Sequence, residues 1–163
     1  MKIIRRENST ADRVVPLIAD FRVLLSSFKG ISAEPDILWA KEEIDEFLGA
    51  GFPVFAAEED GDLIGYIVLR LEGPCVWVEH IYVKEGCRRS GIGSRLFEKA
   101  EETAKSFDGD TVFNWVHPNN EDMIGFLRSK GYSVLNMIEI RKPFEGEKLS
   151  TTIRVEDNIF DYK

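Results

Sequence analysis

Cysteine is scarce in this chain, and long apolar runs are absent. The sequence of 163 residues holds 2 cysteines, Cys75 and Cys87, which give neither a disulfide framework nor the spacing of a metal site. No apolar run approaches the ~18 residues that a membrane-spanning helix needs. The first ten residues, MKIIRRENST, lack the apolar core of a secretory signal. We therefore expect a reduced, cytoplasmic protein with no metal and no membrane partner.

Basic residues are also fewer than acidic residues. The chain has 29 acidic and 21 basic residues, and its formal net charge is -8. Because nucleic acids are polyanions, this balance disfavours a nucleic-acid partner. The same charge would attract a cationic small molecule or a basic peptide. Plain solubility is the alternative explanation of the acidity.

The length and composition are those of one globular domain. Hydrophobic residues make up 44% and charged residues 31% of the chain, and a chain of this size can bury a sizeable core. No internal repeat and no linker divides the sequence. We therefore expect a single domain over residues 1–163.

Apolar residues recur at strand or helical spacing along most of the chain. The predicted helices begin near residues 10, 35, 91 and 120. The predicted strands cover residues 2–6, 53–58, 63–72, 75–83, 111–116, 132–142 and 151–155. This order, β-α-α-β-β-β-α-β-α-β-β, predicts an α/β (α+β) fold. It has a mixed, mostly antiparallel central sheet with helices on both faces.

One predicted helix start concentrates positive charge and glycine. Residues 87–100 read CRRSGIGSRLFEKA and follow a predicted strand. The first turn of a helix carries unpaired N–H groups and partial positive charge, and therefore attracts anions. Arg88 and Arg89 suit phosphate oxygens, while Gly91 and Gly93 let the backbone approach a ligand. The stretch predicts a phosphate-binding loop.

Two familiar phosphate-binding motifs do not fit this loop. The dinucleotide fingerprint G-x-G-x-x-G would need glycine where Leu96 stands, and the nucleoside-triphosphate motif G-x-x-x-x-G-K-[ST] does not occur in the chain. What remains is R-x-x-G-x-G, formed by Arg88, Gly91 and Gly93. Taken alone it is also compatible with a generic anion site, or with glycines that serve packing only.

A second motif follows about twenty-five residues later. It reads N-x-x-M-x-x-F-L-x-x-x-G-Y and runs from Asn120 to Tyr132. With R-x-x-G-x-G and the strand V-E-H-I-Y-V before it, this pattern resembles the GNAT superfamily of acyl-CoA-dependent N-acetyltransferases. The resemblance is specific over residues 77–132 and vague in the first fifty and last twenty. It implies transfer of an acetyl group from acetyl-CoA to a primary amine, by direct attack of the amine on the thioester.

The resemblance also implies where acetyl-CoA binds. Backbone N–H groups of residues 89–94 would hold the diphosphate, and the strand 81–83 would pair with the pantetheine arm in a gap beside the next strand. The residues implied in cofactor binding are Ile81, Tyr82, Val83, Arg88, Arg89, Ser90, Gly91, Ile92, Gly93, Ser94, Asn120 and Phe126.

Three residues are candidates for the chemistry. The resemblance implies that the Val83 N–H stabilises the thioester oxygen as it becomes negative. Glu79 is the first candidate for the base, or for positioning a water, because a carboxylate is unexpected in so apolar a strand. A carboxylate that only pairs with an arginine, or only attracts a cationic substrate, is the alternative. His117, near the expected acyl site, is the second candidate for the base.

Strict alternation along the strand places Glu79 on one face with Trp77 and Ile81. His80 would then lie on the opposite face, where we expect a hydrogen-bonded core histidine. The chain departs from many relatives at Leu127, where they carry a tyrosine that protonates the leaving sulfur. Whether this chain has a general acid is therefore left open.

Three further readings stay open. A non-catalytic acetyl-CoA sensor or interaction module would also keep the loop, and the absence of the tyrosine favours that reading. A protein lysine or N-terminal acetyltransferase would differ only in its substrate groove. The strand at 151–155 suggests a homodimer, since late strands often mediate dimers among relatives, whereas an ordinary edge strand or a disordered tail is the alternative.

Overall fold

The structure is a computed structural model that describes residues 1–6 and 8–162, apart from the side chains of residues 6 and 8–10. It divides into two compact units, residues 1–126 and 127–163. In the part of the chain that is described, no helix is long and apolar enough to cross a membrane.

The first unit contains a five-stranded sheet in the order β1-β2-β3-β4-β5. Its strands are β1 (Lys2–Arg6), β2 (Val54–Glu59), β3 (Asp62–Glu72), β4 (Cys75–Val83) and β5 (Phe113–Asn114). The first four strands pair antiparallel, and β5 joins β4 in parallel. The predicted mixed, mostly antiparallel sheet is thus confirmed.

Four α-helices accompany the strands in the described residues. They are α1 (Val15–Phe28), α2 (Ile37–Gly49), α3 (Ile92–Lys105) and α4 (Glu121–Ser129). The helix expected to begin near residue 10 starts later, because residues 8–13 form a 3-10 helix instead. At α2, the Asp36 side chain accepts the Trp39 N–H at 2.9 Å and caps the helix.

Helices cover both faces of the sheet, as predicted. Tyr66 and Val68 of β3 are fully buried in one cluster with residues of α1 and α2, including Ile18 and Ile44. Gly65 faces the other way, since a Cβ built on it would lie 3.3 Å from Cδ1 of Leu96 in α3. Successive residues of a strand point to opposite faces, so α3 lies on the side of the sheet opposite α1.

His80 of β4 is the core histidine that the sequence predicts. It is 4% exposed, its Nδ1 lies 3.1 Å from the Tyr66 hydroxyl, and Phe21 and Phe47 surround its ring. Burial, assisted by the charge of Arg22, lowers the pKa of His80 to about 3. The ring is therefore neutral at pH 7.

This burial makes the folded state sensitive to acid. The unfolded chain binds a proton at His80 near pH 6.5, whereas the folded chain does so only near pH 3. The stability contributed by the neutral ring is therefore complete above pH 6.5 and is lost as the pH falls, by up to about 1.4 kcal/mol per pH unit. We expect His80→Gln, which keeps an acceptor for Tyr66, to show a shallower loss of stability than the parent.

Urea unfolding at a series of pH values checks this slope. The matched comparison is His117→Gln, which changes the other of the chain's 2 histidines, a partly exposed one. The nearest carboxylate, Glu43, lies 3.7 Å from His80 Nε2 and is already paired with Arg22. If His80→Gln unfolds with the same pH dependence as the parent, His80 is not the acid-sensitive group.

The second unit contains a separate two-stranded hairpin. Its strands, β6 (Thr151–Val155) and β7 (Asn158–Tyr162), pair antiparallel. The bounds of β6 are as predicted, but the strand predicted over residues 132–142 is wrong, because this segment has no regular structure. The composition there is strand-like, yet a strand forms only where its backbone finds a partner, and no described strand pairs with it. The homodimer stays a prediction.

Candidate active site

A β-bulge interrupts β4 at Glu79. Val78 and His80 lie opposite two consecutive residues of β3, so Glu79 between them has no partner of its own. A bulge breaks the alternation of side chains along a strand. His80 pairs with Val68, which is two positions from Arg70 on β3 and so shares its face, and Glu79 contacts Arg70. The expectation that these two side chains lie on opposite faces is therefore wrong.

The bulge also separates Glu79 from the residues beyond it. Trp77 pairs with Arg70, whereas Ile81 pairs with Ile67. These two β3 residues are three positions apart and so face opposite sides of the sheet. Glu79 shares its face with Trp77, as predicted, but not with Ile81.

Glu79 forms an ion pair with an arginine. Its Oε2 lies 3.3 Å from Arg70 Nε, and Glu72 holds the same guanidinium through Nη1 at 3.0 Å. Arg70 also lies over the rings of Trp77 and Trp115 at 5.4 and 4.9 Å. The structure therefore contains the arginine pair that the sequence left as an alternative. The Arg70–Glu79 contact is an ion pair without hydrogen-bond geometry, and within the described residues neither carboxylate oxygen of Glu79 has a hydrogen-bond partner.

β4 and β5 separate after a short contact. β5 covers only Phe113–Asn114, so the predicted strand over 111–116 is too long, and the ladder ends where Val78 meets Asn114. From Glu79 to Val83, no strand in the described part of the chain pairs with β4 on that side. This leaves a gap beside β4 at its carboxyl end.

The backbone of β4 presents donors to this gap. The Lys84 N–H donates to the Ile64 carbonyl of β3 at 2.9 Å. Because N–H groups alternate in direction along an antiparallel strand, those of Val83 and Ile81 point away from β3. These are the groups that the sequence assigns to the pantetheine arm and the thioester oxygen.

The loop between β4 and α3 ends in a run of unpaired backbone donors. Arg89 and Gly91 have positive φ angles of 62° and 84°, which turn the chain into α3. The N–H groups of residues 89–94 donate to no backbone or side-chain acceptor among the described residues. No acidic residue occupies the first turn of α3. Six consecutive unpaired donors thus lie at the positive end of a helix dipole, which suits an anion.

The two arginines of the loop already have partners within the chain. Arg88 Nε donates to the Val83 carbonyl at 3.0 Å. Arg89 lies 2.9 Å from Asp122 in α4, where its side chain is 85% exposed. A phosphate role for either guanidinium stays a prediction, whereas the backbone donors need no rearrangement.

Asn120 immediately precedes α4, and Phe126 lies in the middle of this helix. Asn120 Oδ1 accepts the Met123 N–H at 3.1 Å and so caps the helix. Its amide nitrogen donates to none of the described residues. The Phe126 ring stands edge-on to Phe97 at 5.5 Å and lies 3.9 Å from where a Cβ on Gly93 would be. Phe126 thus packs beside the first turn of α3.

His117 follows β5 and contacts the end of α1. Its Nδ1 accepts the Asn119 N–H at 3.2 Å, and its ring stacks on Phe28 at 6.0 Å. A neutral imidazole whose Nδ1 accepts a hydrogen bond carries its proton on Nε2. This geometry makes His117 a donor through Nε2, which suits a base less well than the open oxygen of Glu79.

Sequence reasoning missed Gly65, which lies beneath the site. A Cβ there would lie 2.8 Å from the Tyr82 carbonyl oxygen and 3.3 Å from Val83 Cγ2. The available signal was a lone glycine inside the strand-like run Leu63–Leu71, a pattern that often marks close backbone approach. Gly65 therefore lets the end of β4 and the start of α3 lie close together.

Comparison with known proteins places these features in a family. A family model described as acetyltransferase (GNAT) family matches residues 19–132. A probable N-acetyltransferase of Mycobacterium tuberculosis is 28% identical over 116 residues, which are 67% of this chain and 63% of that protein. The chain spans less than two thirds of the length of the curated relatives that it matches.

Solved structures share the fold. A ribosomal-protein-alanine N-acetyltransferase from Brucella melitensis biovar Abortus 2308 matches with a TM-score of 0.66 at 17% identity, over 88% of this chain and 100% of that one. An aminoglycoside N-acetyltransferase in complex with CoA matches with a TM-score of 0.67 at 14% identity, over 87% and 93%. At these identities the likeness extends to the fold alone.

Proposed function

The chain belongs to the acetyltransferase (GNAT) family, and we propose that it transfers the acetyl group of acetyl-CoA to a primary amine. One observation carries this proposal: six consecutive unpaired N–H groups, those of residues 89–94 at the start of α3, follow the open edge of β4 after a loop of five residues. Free strand donors followed along the chain by an anion-binding helix start (residues 89–94) suit a ligand with an amide-bearing arm and a diphosphate.

The residues present fit acetyl-CoA, which supplies an activated acetyl thioester. The N–H groups of residues 89–94 would hold its diphosphate. The backbone of Ile81 and Val83 would pair with the pantetheine arm, and the amide nitrogen of Asn120 would donate to it. Phe126 would form an apolar wall beside the first turn of α3.

The chemistry needs a base and a donor for the carbonyl oxygen. An alkyl amine with a pKa of about 10.4 is protonated at neutral pH and must lose a proton before it attacks. Glu79 would take that proton, directly or through a water, on the oxygen that Arg70 leaves open. The Val83 N–H, pointing into the gap, would stabilise the negative charge on the thioester oxygen.

No tyrosine is available at the position where many relatives protonate the sulfur. That position holds Leu127, a buried hydrophobe. A thiol has a pKa near 8.5, so a thiolate can leave at neutral pH and take its proton from water. We therefore propose that turnover proceeds without a dedicated general acid, and more slowly than with one.

The acceptor is proposed to be a cationic amine. The net charge of -8 favours such a substrate over an acidic one. Matching proteins are named for aminoglycosides and for a ribosomal-protein alanine, so both small amines and protein N-termini belong in a screen. A homodimer is proposed on the resemblance alone.

The test is a calorimetric titration with acetyl-CoA, followed by a thiol-release assay. The acceptors would be polyamines, aminoglycosides, and lysine and N-terminal peptides. We expect micromolar binding and release of free CoA with at least one acceptor. Binding without release across the whole panel would favour the non-catalytic sensor, which Leu127 also suggests. No binding of acetyl-CoA would overturn both readings.

Replacing Glu79 tests the base. We expect Glu79→Gln to lower kcat/KM by roughly 100-fold, the lower range of general-base effects, and to leave the Kd for acetyl-CoA unchanged. The matched control is Glu72→Gln, which removes the other carboxylate from Arg70. If both variants lose the same small amount of activity, Glu79 serves only as the partner of Arg70.

A further inference from the structure

Arg88 makes a specific contact with the end of β4. Its Nε donates to the Val83 carbonyl at 3.0 Å in a partly buried position, and its guanidinium lies 5.8 Å from the Tyr82 ring centre. Burial raises the pKa of Tyr82, and the nearby charge of Arg88 opposes that rise. The side chain is thus committed to β4, although it starts from the loop before α3.

The contacted carbonyl belongs to a peptide group that is fixed from both sides. In the Val83–Lys84 peptide, the N–H donates to Ile64 of β3, and the carbonyl accepts from Arg88. β5 ends at Asn114, so the described part of the chain offers no strand donor to this carbonyl. Arg88 supplies the hydrogen bond that a neighbouring strand would otherwise supply.

This bond restrains the group that the proposed reaction uses. The Val83 N–H adjoins the restrained peptide, and its direction depends on how the end of β4 is held. A carbonyl at an open sheet edge otherwise exchanges between water and ligand partners. The hydrogen bond from Arg88 keeps the Val83 carbonyl from exchanging partners in this way. The free edge of β4 therefore ends at Val83.

We propose that Arg88 is a positioning residue: its guanidinium clamps the Val83–Lys84 peptide and thereby orients the Val83 N–H, and it does not bind the diphosphate. The part concerning Val83 rests on the proposed acetyl transfer. The clamp itself is a property of the free protein. Diphosphate binding then belongs to the backbone donors of residues 89–94.

Two substitutions separate a clamp from a phosphate ligand. The amide nitrogen of glutamine lies as many bonds from Cα as Nε of arginine, so Arg88→Gln keeps the donor and loses the charge. Arg88→Lys keeps the charge but moves its donor one atom further out. A clamp predicts that glutamine substitutes better than lysine, whereas a phosphate ligand predicts the reverse.

The first measurement is amide hydrogen exchange of Lys84 in the protein without ligand. We expect exchange in Arg88→Lys to be roughly tenfold faster than in the parent, and exchange in Arg88→Gln to stay near the parent rate. Arg5→Gln, an exposed change on β1 that also removes one positive charge, is the control and should change nothing. Equal rates in the two Arg88 variants, or the reverse order, would overturn the clamp.

The second measurement is the calorimetric Kd for acetyl-CoA. We expect Arg88→Gln to bind near the parent Kd and Arg88→Lys to bind roughly tenfold more weakly. The opposite order would make Arg88 a phosphate ligand and overturn the proposal. If the parent protein does not bind acetyl-CoA, the proposed function fails, while the Lys84 exchange rates still decide whether Arg88 is a clamp.

Discussion

Ser94→Asp should make the protein more stable and yet abolish useful binding of acetyl-CoA. Ser94 is the third residue of α3, and the first turn of this helix carries no acidic residue. A carboxylate there interacts favourably with the helix dipole by about 0.3–1 kcal/mol, which corresponds to a rise in Tm of roughly 1–3 °C. The same carboxylate would occupy the donors proposed for the diphosphate and would repel it.

The two effects have opposite signs, which removes misfolding as an explanation. Like charges held together at a binding site cost several kcal/mol, so we expect the Kd for acetyl-CoA to rise by roughly 100-fold. Ser94→Asn has nearly the same shape without the charge and should keep the parent Kd. Thermal unfolding and calorimetry of the three proteins are the measurements.

A charge at the other end of the same helix completes the comparison. Ser106 caps the carboxyl end of α3, where a negative charge is unfavourable. We expect Ser106→Asp to lower Tm slightly and to leave the Kd unchanged. If Ser94→Asp binds acetyl-CoA as tightly as Ser94→Asn, the diphosphate does not lie at the start of α3.

The elements that were predicted well are those with turn-forming residues at their ends. β4 begins and ends where the sequence indicates, because Gly73-Pro74 precedes it and a polar loop follows. The β2–β3 hairpin likewise turns at Asp60 and Gly61, both with positive φ, as a short acidic turn with glycine favours. Here neighbours along the chain decide the conformation.

Long-range contacts decided what the sequence could not reveal. The segment 132–142 has strand-forming residues but finds no partner strand among the described residues. The bulge at Glu79 depends on how β4 pairs with β3, and one unpaired residue changes which side chains share a face. Periodicity along one strand contains no information about register with another.

The candidate site was predictable in its backbone and less so in its side chains. Glycine and helix-start signals located the donors of residues 89–94, since an unpaired first turn is a property of any helix. The partners of Arg88 and Arg89 could not be predicted. A long side chain can reach several acceptors, and which of them lie within reach depends on the folded structure. Charge composition suggested phosphate for both, whereas the structure pairs them with Val83 and Asp122.

Gly65→Ala should destabilise the fold more than its single added methyl group suggests. The new Cβ would lie 2.8 Å from the Tyr82 carbonyl oxygen, a backbone atom that cannot rotate away, and 3.3 Å from Leu96. Overpacking of a tight interior costs typically 1–3 kcal/mol, and contact with backbone favours the upper part, roughly 2–3 kcal/mol. We expect Tm to fall by roughly 5–10 °C.

The same change should weaken the site in molecules that remain folded. Relief of the clash requires β4 to move at Tyr82, the residue before the proposed Val83 donor, or α3 to move at Leu96, two residues after Ser94. Either shift separates the open edge of β4 from the donors of residues 89–94. We therefore expect a weaker Kd for acetyl-CoA at temperatures well below the lowered Tm.

Gly125→Ala is the matched control for this prediction. Gly125 lies within α4, and a Cβ there meets no atom within 4 Å, so alanine should raise stability by about 0.5–1 kcal/mol through helix propensity. Denaturant unfolding and calorimetry of both variants give the comparison. Gly65→Ala could instead be as stable as the parent and bind acetyl-CoA equally well. In that case the close approach of β3, β4 and α3 at Gly65 does not hold the open edge of β4 beside the donors of residues 89–94.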